Sequence, residues 1–371
     1  MKNKQEKGIT LIALVVTIVV LLILAGVSIS LVLNNNGIIS KAKEAKNRYA
    51  EAQTNEEKQL NELANLISTK LGETTGGGSA GGSDYDPASD GVPIPSGFVY
   101  VGGTKDSGLV ISDNSADKEK YKGQKKVGTD LQGNQFVWIP VENIADYKRI
   151  AYVNQNISSY SETLPSDERT SVDKNKGYYI GRYEAGDKES TEAKTLRSSN
   201  NISHTITIKA KQAPYNYVTR TQAKELAKGF GTKQNYKNVK TKLVSSYAWD
   251  TAIAFIQKTV SNYGSSSPQG NYKNAETFTY TDIKGQGQTK VKGNSSGTPI
   301  PTGQTTGVCN IYDMGGNVWE WTTESHSSTS ISCTHRGGFY LDDFASSPAG
   351  YRGAGSDGAN VIVGFRCTLY L

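Results

Sequence analysis

A run of 25 residues without a charge, Ile9 to Leu33, limits what the beginning of this chain can be. As a helix rising about 1.5 Å per residue it reaches roughly 37 Å, enough to cross a hydrocarbon core near 30 Å. A secretory signal has a shorter apolar region followed by a small-residue cleavage site, so removal after the run is disfavoured. Lys2, Lys4 and Lys7 precede it, and the positive-inside rule places them in the cytoplasm. The sequence therefore predicts a membrane anchor at Ile9–Leu33 with the rest of the chain outside the cell.

The chain after the anchor changes composition twice. Lys41 to Leu71 has apolar residues at spacings of three, four and seven among charged ones, which is typical of an amphipathic helix. Glu73 to Pro95 is rich in Gly, Ser and Pro and predicts a flexible linker that stiffens at its far end. The predicted parts are a leader at 1–8, a spanning and stalk helix at 9–72, the linker at 73–95 and a domain at 96–371.

Composition excludes two classes of protein. The 36% apolar and 9% aromatic residues are enough to build a core, so the chain is not intrinsically disordered. The net charge of +6 is modest, and residues 293–371 hold three Arg, no Lys and six acidic residues. No basic stripe is interleaved with aromatic residues, so we expect no nucleic-acid partner.

Short apolar segments dominate the predicted domain. Runs bounded by Gly, Asp and Ser predict strands at 98–101, 109–111, 135–139, 178–180 and 202–208. Helical spacing predicts two helices, one over 221–228 with Thr221 as its cap and one over 247–259. Strands with many loops and few helices are therefore expected.

The junction Lys7-Gly8-Ile9-Thr10, leading directly into the apolar run, resembles the cleavage site of type IV prepilins over residues 1–72. The resemblance implies that a prepilin peptidase cuts between Gly8 and Ile9 and methylates Ile9, and that other pilin subunits are partners. The family usually has Glu five residues after the cut, where this chain has Ala13. A minor pilin is therefore expected, and an uncut signal anchor is the alternative.

Three motifs in the last 65 residues carry a second resemblance: Gly307 to Thr322 with its Asn-Val-Trp-Glu-Trp run, His335-Arg-Gly-Gly338, and Gly364-Phe-Arg-Cys367. They resemble the formylglycine-generating-enzyme (sulfatase-modifying-factor) family, a branch of the C-type lectin fold, and weaker matches extend the resemblance over about 94–371. The implied fold class is α+β, with a pilin-like helix, a flexible linker and then an irregular, loop-rich lectin-type domain. The motif residues are Asn317, Trp319, Glu320, Trp321, Arg336, Gly337, Gly338, Gly364, Phe365 and Arg366.

Local pattern assigns structural roles within these motifs. Trp319 and Trp321 alternate with Glu320, which places both indoles on one face of a strand. Gly337 and Gly338 permit a close approach of the backbone.

The chemistry of the family's enzymes is not expected here. Catalytic members use a pair of cysteines after the Arg-Gly-Gly segment to bind copper, and residues 339–352 contain no cysteine. A thiolate is the soft ligand that copper requires. The chain also has only three histidines, His204, His326 and His335, with no pair at helical ligand spacing. No enzyme activity and no cofactor are therefore predicted.

Two further questions stay open in the sequence. By family resemblance a structural calcium ion would use Asn317 and Glu320 as oxygen ligands, although packing and hydrogen bonding are the first expectation for both. Cys309, Cys333 and Cys367 face an oxidising exterior and allow three disulfide pairings, with one cysteine left over. The alternative for Cys367 is a buried free thiol.

Residues 325–371 lack Lys, Glu, Gln, Met and Trp, of which about nine would be expected from the rest of the composition. The segment is rich in Gly, Ser, Asp, Tyr and Phe, the mixture that antibody paratopes use. It resembles the variable proteins of diversity-generating retroelements, whose lectin-type domain ends in a region mutated at template adenines. The resemblance implies a variable region at 336–366, and a fixed ligand-binding domain is the alternative.

The sequence thus predicts a cell-surface binding protein, a minor pilin or pilin-anchored adhesin whose loops bind an unknown protein or surface ligand. The alternatives are a structural pilus subunit with a decorative head and, disfavoured, a formylglycine-generating-like oxidoreductase. Loops held at their ends by strands can change sequence without disturbing the core. The residues expected to face the ligand are Tyr340, Leu341, Asp342, Asp343, Phe344, Tyr351, Ser356, Asp357, Val361 and Ile362.

Overall fold

The computed structural model describes residues 16, 18–22, 85–190, 201–293 and 297–371. The chain divides into two compact units, Met1–Ala80 and Gly81–Leu371. In the first unit, Val16 and the residues of 18–22 are helical and exposed. Within the described residues no helix is both long enough and apolar enough to cross a membrane. The Gly8–Ile9 junction, the rest of the predicted span and the predicted stalk lie outside the described residues.

The described part of the second unit contains sixteen strands and three α-helices. The helices are α1 (Ser166–Asn175), α2 (Arg220–Lys233) and α3 (Ser246–Ile256). The strands are β1 (Val99–Gly102), β2 (Val110–Ser112), β3 (Gln135–Pro140), β4 (Tyr160–Ser161), β5 (Gly177–Gly181), β6 (Gly186–Asp187), β7 (Ile206–Thr207), β8 (Ala213–Pro214), β9 (Lys240–Leu243), β10 (Phe278–Thr281), β11 (Gly287–Lys290), β12 (Trp319–His326), β13 (Cys333–Arg336), β14 (Arg352–Gly355), β15 (Val363–Phe365) and β16 (Cys367–Tyr370).

An antiparallel six-stranded sheet has the order β1-β2-β3-β5-β16-β9, and its strands β2, β3, β5 and β16 are buried on both faces. Along β3, Phe136 and Trp138 enter one apolar cluster while Val137 and Ile139 enter the other. Such alternation is the two-residue period of a strand, and α3 covers the second face. Because both faces are apolar, these strands read as continuous hydrophobic runs in the sequence.

A second sheet, ordered β14-β13-β12-β15 with β4 also paired to β12, carries the family motifs. β12 pairs antiparallel with β13 but parallel with β15, with Glu320 opposite Gly364. The chain passes from β15 in this sheet to β16 in the first through the single residue Arg366. A three-stranded sheet, β7-β6-β8, and a hairpin, β10-β11, complete the unit.

The bounds of both predicted helices and of one predicted strand are corrected by the structure, and α2 continues to Lys233 instead of ending at residue 228. The cap of α2 is Thr219 and not Thr221, because Gln222 completes a reciprocal capping box with Thr219 through two bonds of 3.0 Å. Helix α3 ends at Ile256 rather than at residue 259. The strand predicted over 202–208 is limited to β7, since Asn201 accepts a hydrogen bond from the Ser203 amide and turns the chain before it.

The far end of the predicted linker packs on the second unit. Val92 is buried, and the Tyr179 hydroxyl donates to the carbonyl of Pro93 at 3.1 Å. The ring of Tyr85 lies 5.7 Å from that of Tyr100. Residues 85–95 are therefore part of the unit that carries the predicted site.

Candidate functional site

One face of the second sheet is an aromatic cluster. Trp319 and Trp321 lie on the same face of β12, and both rings contact the imidazole of His335, with centroids 4.4 Å and 5.4 Å away. Tyr351 lies against Trp319 at 5.8 Å. Edge-to-face packing of this kind adds to the stabilisation from burial alone. The alternating pattern around Glu320 thus produces the arrangement that the sequence predicts.

Gly353 makes room for this cluster. A Cβ placed on it would lie 2.1 Å from Cε1 of His335, so any other residue would displace the ring. His335 is half-buried, and its buried Nδ1 has no hydrogen-bond partner in the described part of the chain. Burial lowers the pKa of His335 to about 4, because the charged form loses its hydration there.

The opposite face of the sheet holds a buried ion pair between Glu320 and Arg366. The Arg366 guanidinium donates to both carboxylate oxygens, at 2.6 Å and 3.0 Å, and both side chains are almost fully buried. Its remaining donors bind the carbonyls of Gly181 and Tyr312 at 2.9 Å. Because Gly181 ends β5, Arg366 joins the two sheets.

A second buried charge network lies under the 337–351 loop. Arg336 on β13 donates to Asp250 of α3 at 2.5 Å, and Arg352 on β14 pairs with the other oxygen of the same carboxylate. Arg352 also binds Glu324 at 3.0 Å, and Arg149 reaches Glu324 at 2.7 Å. All but Arg149 are at most 2% exposed. The network fixes both ends of the 337–351 loop.

The scaffold holds the 337–351 loop largely by its main chain. The Tyr272 hydroxyl lies 2.6 Å from the carbonyl oxygen of residue 337 and 2.9 Å from that of residue 347, and its single proton is shared between them. Trp249 donates to the carbonyl of residue 349 at 2.9 Å. Arg336 donates to the carbonyls of residues 350 and 351 at 3.1 Å and 3.0 Å. None of these bonds depends on which side chain the accepting residue carries.

The 356–362 loop is held in a similar way. Asn216 donates to the carbonyl of Val361 at 2.7 Å, and the Tyr217 amide donates to the carbonyl of residue 360 at 3.1 Å. The Trp319 amide donates to the carbonyl of Ile362 at 2.8 Å. One side chain takes part, since Asp357 accepts from the amide of Thr221 at 3.1 Å and from its hydroxyl.

Glycines shape the start of the first loop. Gly337 and Gly338 have φ angles of +92° and +74°, which L residues rarely adopt. A Cβ on Gly338 would lie 2.3 Å from the carbonyl oxygen of Ser347. The Arg-Gly-Gly motif is therefore a tight exit from β13.

The ten predicted ligand-facing residues differ in exposure. Leu341, Asp343, Ser356 and Asp357 are exposed, whereas Asp342, Phe344, Tyr351, Val361 and Ile362 are half-buried. Tyr340 is buried, at 6% exposure. The side chains that reach solvent most freely are therefore those of the first four.

Asn317 and Glu320 do not fit a calcium ligand pair. The Asn317 side-chain oxygen accepts from the amide of Ile300 at 2.8 Å and from Asn271 at 3.0 Å. Both oxygens of Glu320 face the Arg366 guanidinium. Since the chain's own donors already use these oxygens, Asn317 and Glu320 serve packing and hydrogen bonding, the first expectation for both.

The cysteines are free thiols in the structure. Cys333 and Cys367 are buried and Cys309 is half-buried, and burial raises the pKa of each thiol. A raised pKa disfavours the nucleophilic, metal-binding thiolate. The segment 339–352 supplies no thiol of its own.

The residues that sequence reasoning missed are the partners of the arginines. Asp250 is the lone acidic residue of the apolar helix α3, which is the available signal, whereas Glu324 shares the mixed strand β12 with Glu320 and has no such signal. A carboxylate within an apolar helix is buried only if it is paired. The pattern therefore marks Asp250 as paired, but it does not identify Arg336 and Arg352 as the partners.

Comparison with known proteins places this site in a family. Residues 89–370 match the model of the sulfatase-modifying factor enzyme 1-like domain, so the fold and its motif residues define a domain of the formylglycine-generating-enzyme class. The chain belongs to this family, which includes both enzymes and non-catalytic members, and the predicted lectin-type domain is confirmed.

Three solved structures are similar at low identity. CarF is 15% identical with a TM-score of 0.33, over 53% of this chain and 87% of that chain. Variable protein 1 of Treponema denticola is 14% identical with a TM-score of 0.35, over 66% and 98%. PvdO from Pseudomonas aeruginosa is 18% identical with a TM-score of 0.35, over 66% and 98%. No curated protein matches the chain.

Proposed function

We propose that this protein is a surface-displayed binding protein. Its lectin-type domain presents the loops 337–351 and 356–362 to a protein or surface ligand, and a pilin-like segment anchors it. The observation that carries the proposal is the main-chain anchoring of both loops. A scaffold that holds carbonyl groups tolerates changes of the side chains between them, which is what a diversified recognition surface requires.

The exposed residues of the 337–351 loop also support a role in ligand binding. Leu341 is 36% exposed beside exposed Asp343, and an apolar group within a polar rim is common at recognition surfaces. The charges of Arg336, Asp250 and Arg352, in contrast, are buried in ion pairs beneath the 337–351 loop. With no thiol in 339–352, the domain is proposed to bind and not to oxidise.

Changing Leu341 to Glu should abolish binding while the melting temperature stays nearly unchanged, because this side chain projects from a loop held by its backbone. Binding is measured for the purified protein on glycan and surface-protein arrays. Ile331→Glu is the matched control, since Ile331 is 40% exposed but lies outside residues 336–366. It should bind like the wild type.

Two results would argue against this surface. Equal binding by wild type and Leu341→Glu would place the ligand elsewhere, and a large fall in melting temperature would make Leu341 a packing residue.

Diversification of the loops is tested separately, by sequencing the DNA that flanks the gene. We expect a nearby template repeat that differs from codons 336–366 at the positions of its adenines. A locus without such a repeat would favour a fixed binding surface.

We propose that the N-terminal anchor is processed like a prepilin. A prepilin peptidase cuts between Gly8 and Ile9, and the uncharged segment that begins at Ile9 then contacts the membrane or other pilin subunits. We expect the mature protein to begin with methylated Ile9, as N-terminal sequencing of surface-exposed protein will show. The basis is the basic leader followed by an uncharged run. An intact Met1 on the surface would instead establish an uncut anchor.

A further inference from the structure

The small sheet β7-β6-β8 brings together three side chains that bind metals. Asp187 ends β6, Glu189 follows it, and His204 precedes β7. One donor atom from each lies within 4.8 Å of the others, and this is the cluster of three such residues found in the described ranges. It is separate from the loops of the proposed binding surface, and the inference does not depend on them.

The donors are arranged around a common point. Nδ1 of His204 lies 2.9 Å from each oxygen of Asp187. Glu189 uses Oε2 to accept from the amide of Thr205 at 2.7 Å, and its other oxygen is available. Two ligands of a tetrahedral ion with bonds near 2.1 Å are about 3.4 Å apart, so binding an ion requires His204 and Asp187 to separate by about 0.5 Å and Glu189 to move closer.

Burial divides the roles within the cluster. Asp187 is 2% exposed and is fixed in the strand, whereas the His204 side chain is 41% exposed and Glu189 is exposed. The main chain at His204 is also fixed, because its carbonyl accepts from the Tyr215 hydroxyl at 3.2 Å. Asp187 is thus a rigid ligand, and the side chains of His204 and Glu189 can adjust to a bound ion. Water molecules would fill the ion's other coordination positions.

We propose that Asp187, Glu189 and His204 form a binding site for a divalent transition metal of the Zn²⁺ class. An imidazole nitrogen with two carboxylates suits zinc, nickel or copper, whereas calcium and magnesium prefer oxygen ligands alone. The metal takes the place of the proton between His204 and Asp187 and links the segment before β7 to β6. The site adds a metal-held cross-link to a sheet of two-residue strands.

The test is calorimetric titration of the untagged, metal-free protein with ZnCl₂. Wild type should bind one ion per chain. His204→Ala and Glu189→Gln should each weaken binding at least about tenfold, since even loss of an outer partner of a metal ligand costs this much. His326→Ala is the matched control and should bind like the wild type, because His326 lies at the end of β12, outside the cluster.

A second measurement distinguishes loss of metal binding from loss of folding in the variants. CoCl₂ added to wild type should give visible d–d absorption that ZnCl₂ removes and CaCl₂ does not, with circular dichroism confirming that each variant is folded. Absence of saturable zinc binding, equal binding by His204→Ala, or displacement of cobalt by calcium would each overturn the proposal.

Discussion

Replacing Arg366 with alanine should destabilise the second unit by about 3–5 kcal/mol, because Glu320 would remain buried without a counter-charge. The two side chains are 0% and 1% exposed, so the carboxylate has no access to bulk solvent in the folded protein. The carbonyls of Gly181 and Tyr312 would lose their donor as well. The free energy of unfolding is measured by denaturant titration with tryptophan fluorescence. This signal reports on the second unit alone, since all four tryptophans lie there.

Two controls separate the buried charge from general damage. Lys292→Ala breaks an exposed ion pair with Glu276 and should change the free energy of unfolding by less than about 1 kcal/mol. The double variant Arg366→Met, Glu320→Leu should recover part of the loss, because apolar replacement of both partners removes the isolated charge. An Arg366→Ala protein as stable as the wild type would show that Glu320 is neutral in the folded state.

Acid should weaken the fold through His335, with a loss of about 3 kcal/mol at full effect. The folded-state pKa is lowered to about 4 by burial, whereas an unfolded histidine titrates near 6.5. Between these values the unfolded chain binds one proton more, so stability falls as the pH decreases from about 6.5 to about 4. Above pH 6.5 both states are neutral and the contribution disappears.

The measurement is the free energy of unfolding between pH 7 and pH 4.5 for wild type and His335→Phe. Phenylalanine keeps a ring between Trp319 and Trp321 without a titrating group, so the difference between the two proteins should change with pH in this window. His335→Gln, which is also uncharged, should have the same shallower slope. Parallel curves would mean that the imidazole has the same pKa in the folded protein as in the unfolded chain.

Four of the six strands of the first sheet follow from the sequence, whereas β9 and β16 are not among the predicted strands. β1, β2, β3 and β5 begin and end within about a residue of their predicted positions, because strands buried on both faces are continuous apolar runs. The aromatic face of β12 follows from the alternation around Glu320. Local pattern was sufficient wherever the residues that decide the structure are neighbours in the chain.

The exposure of the loop residues could not be predicted in the same way. Tyr340 and Leu341 are adjacent apolar residues in a loop without periodicity, and only the first is buried. The Tyr340 amide donates to the carbonyl of Asn317 at 3.1 Å, so its position depends on a distant segment. The proximity of His204 to Asp187 is likewise set by the pairing of β6 and β7.

The passage from β15 to β16 through Arg366 has a consequence for the timing of folding. β16 lies between β5 and β9 in the first sheet, with Thr368 opposite Ile180, nearly 190 residues earlier. Contacts between such distant residues slow folding, and this sheet cannot close until residues 367–370 have been synthesised. The first sheet is therefore completed only after every other described strand of the unit has been synthesised.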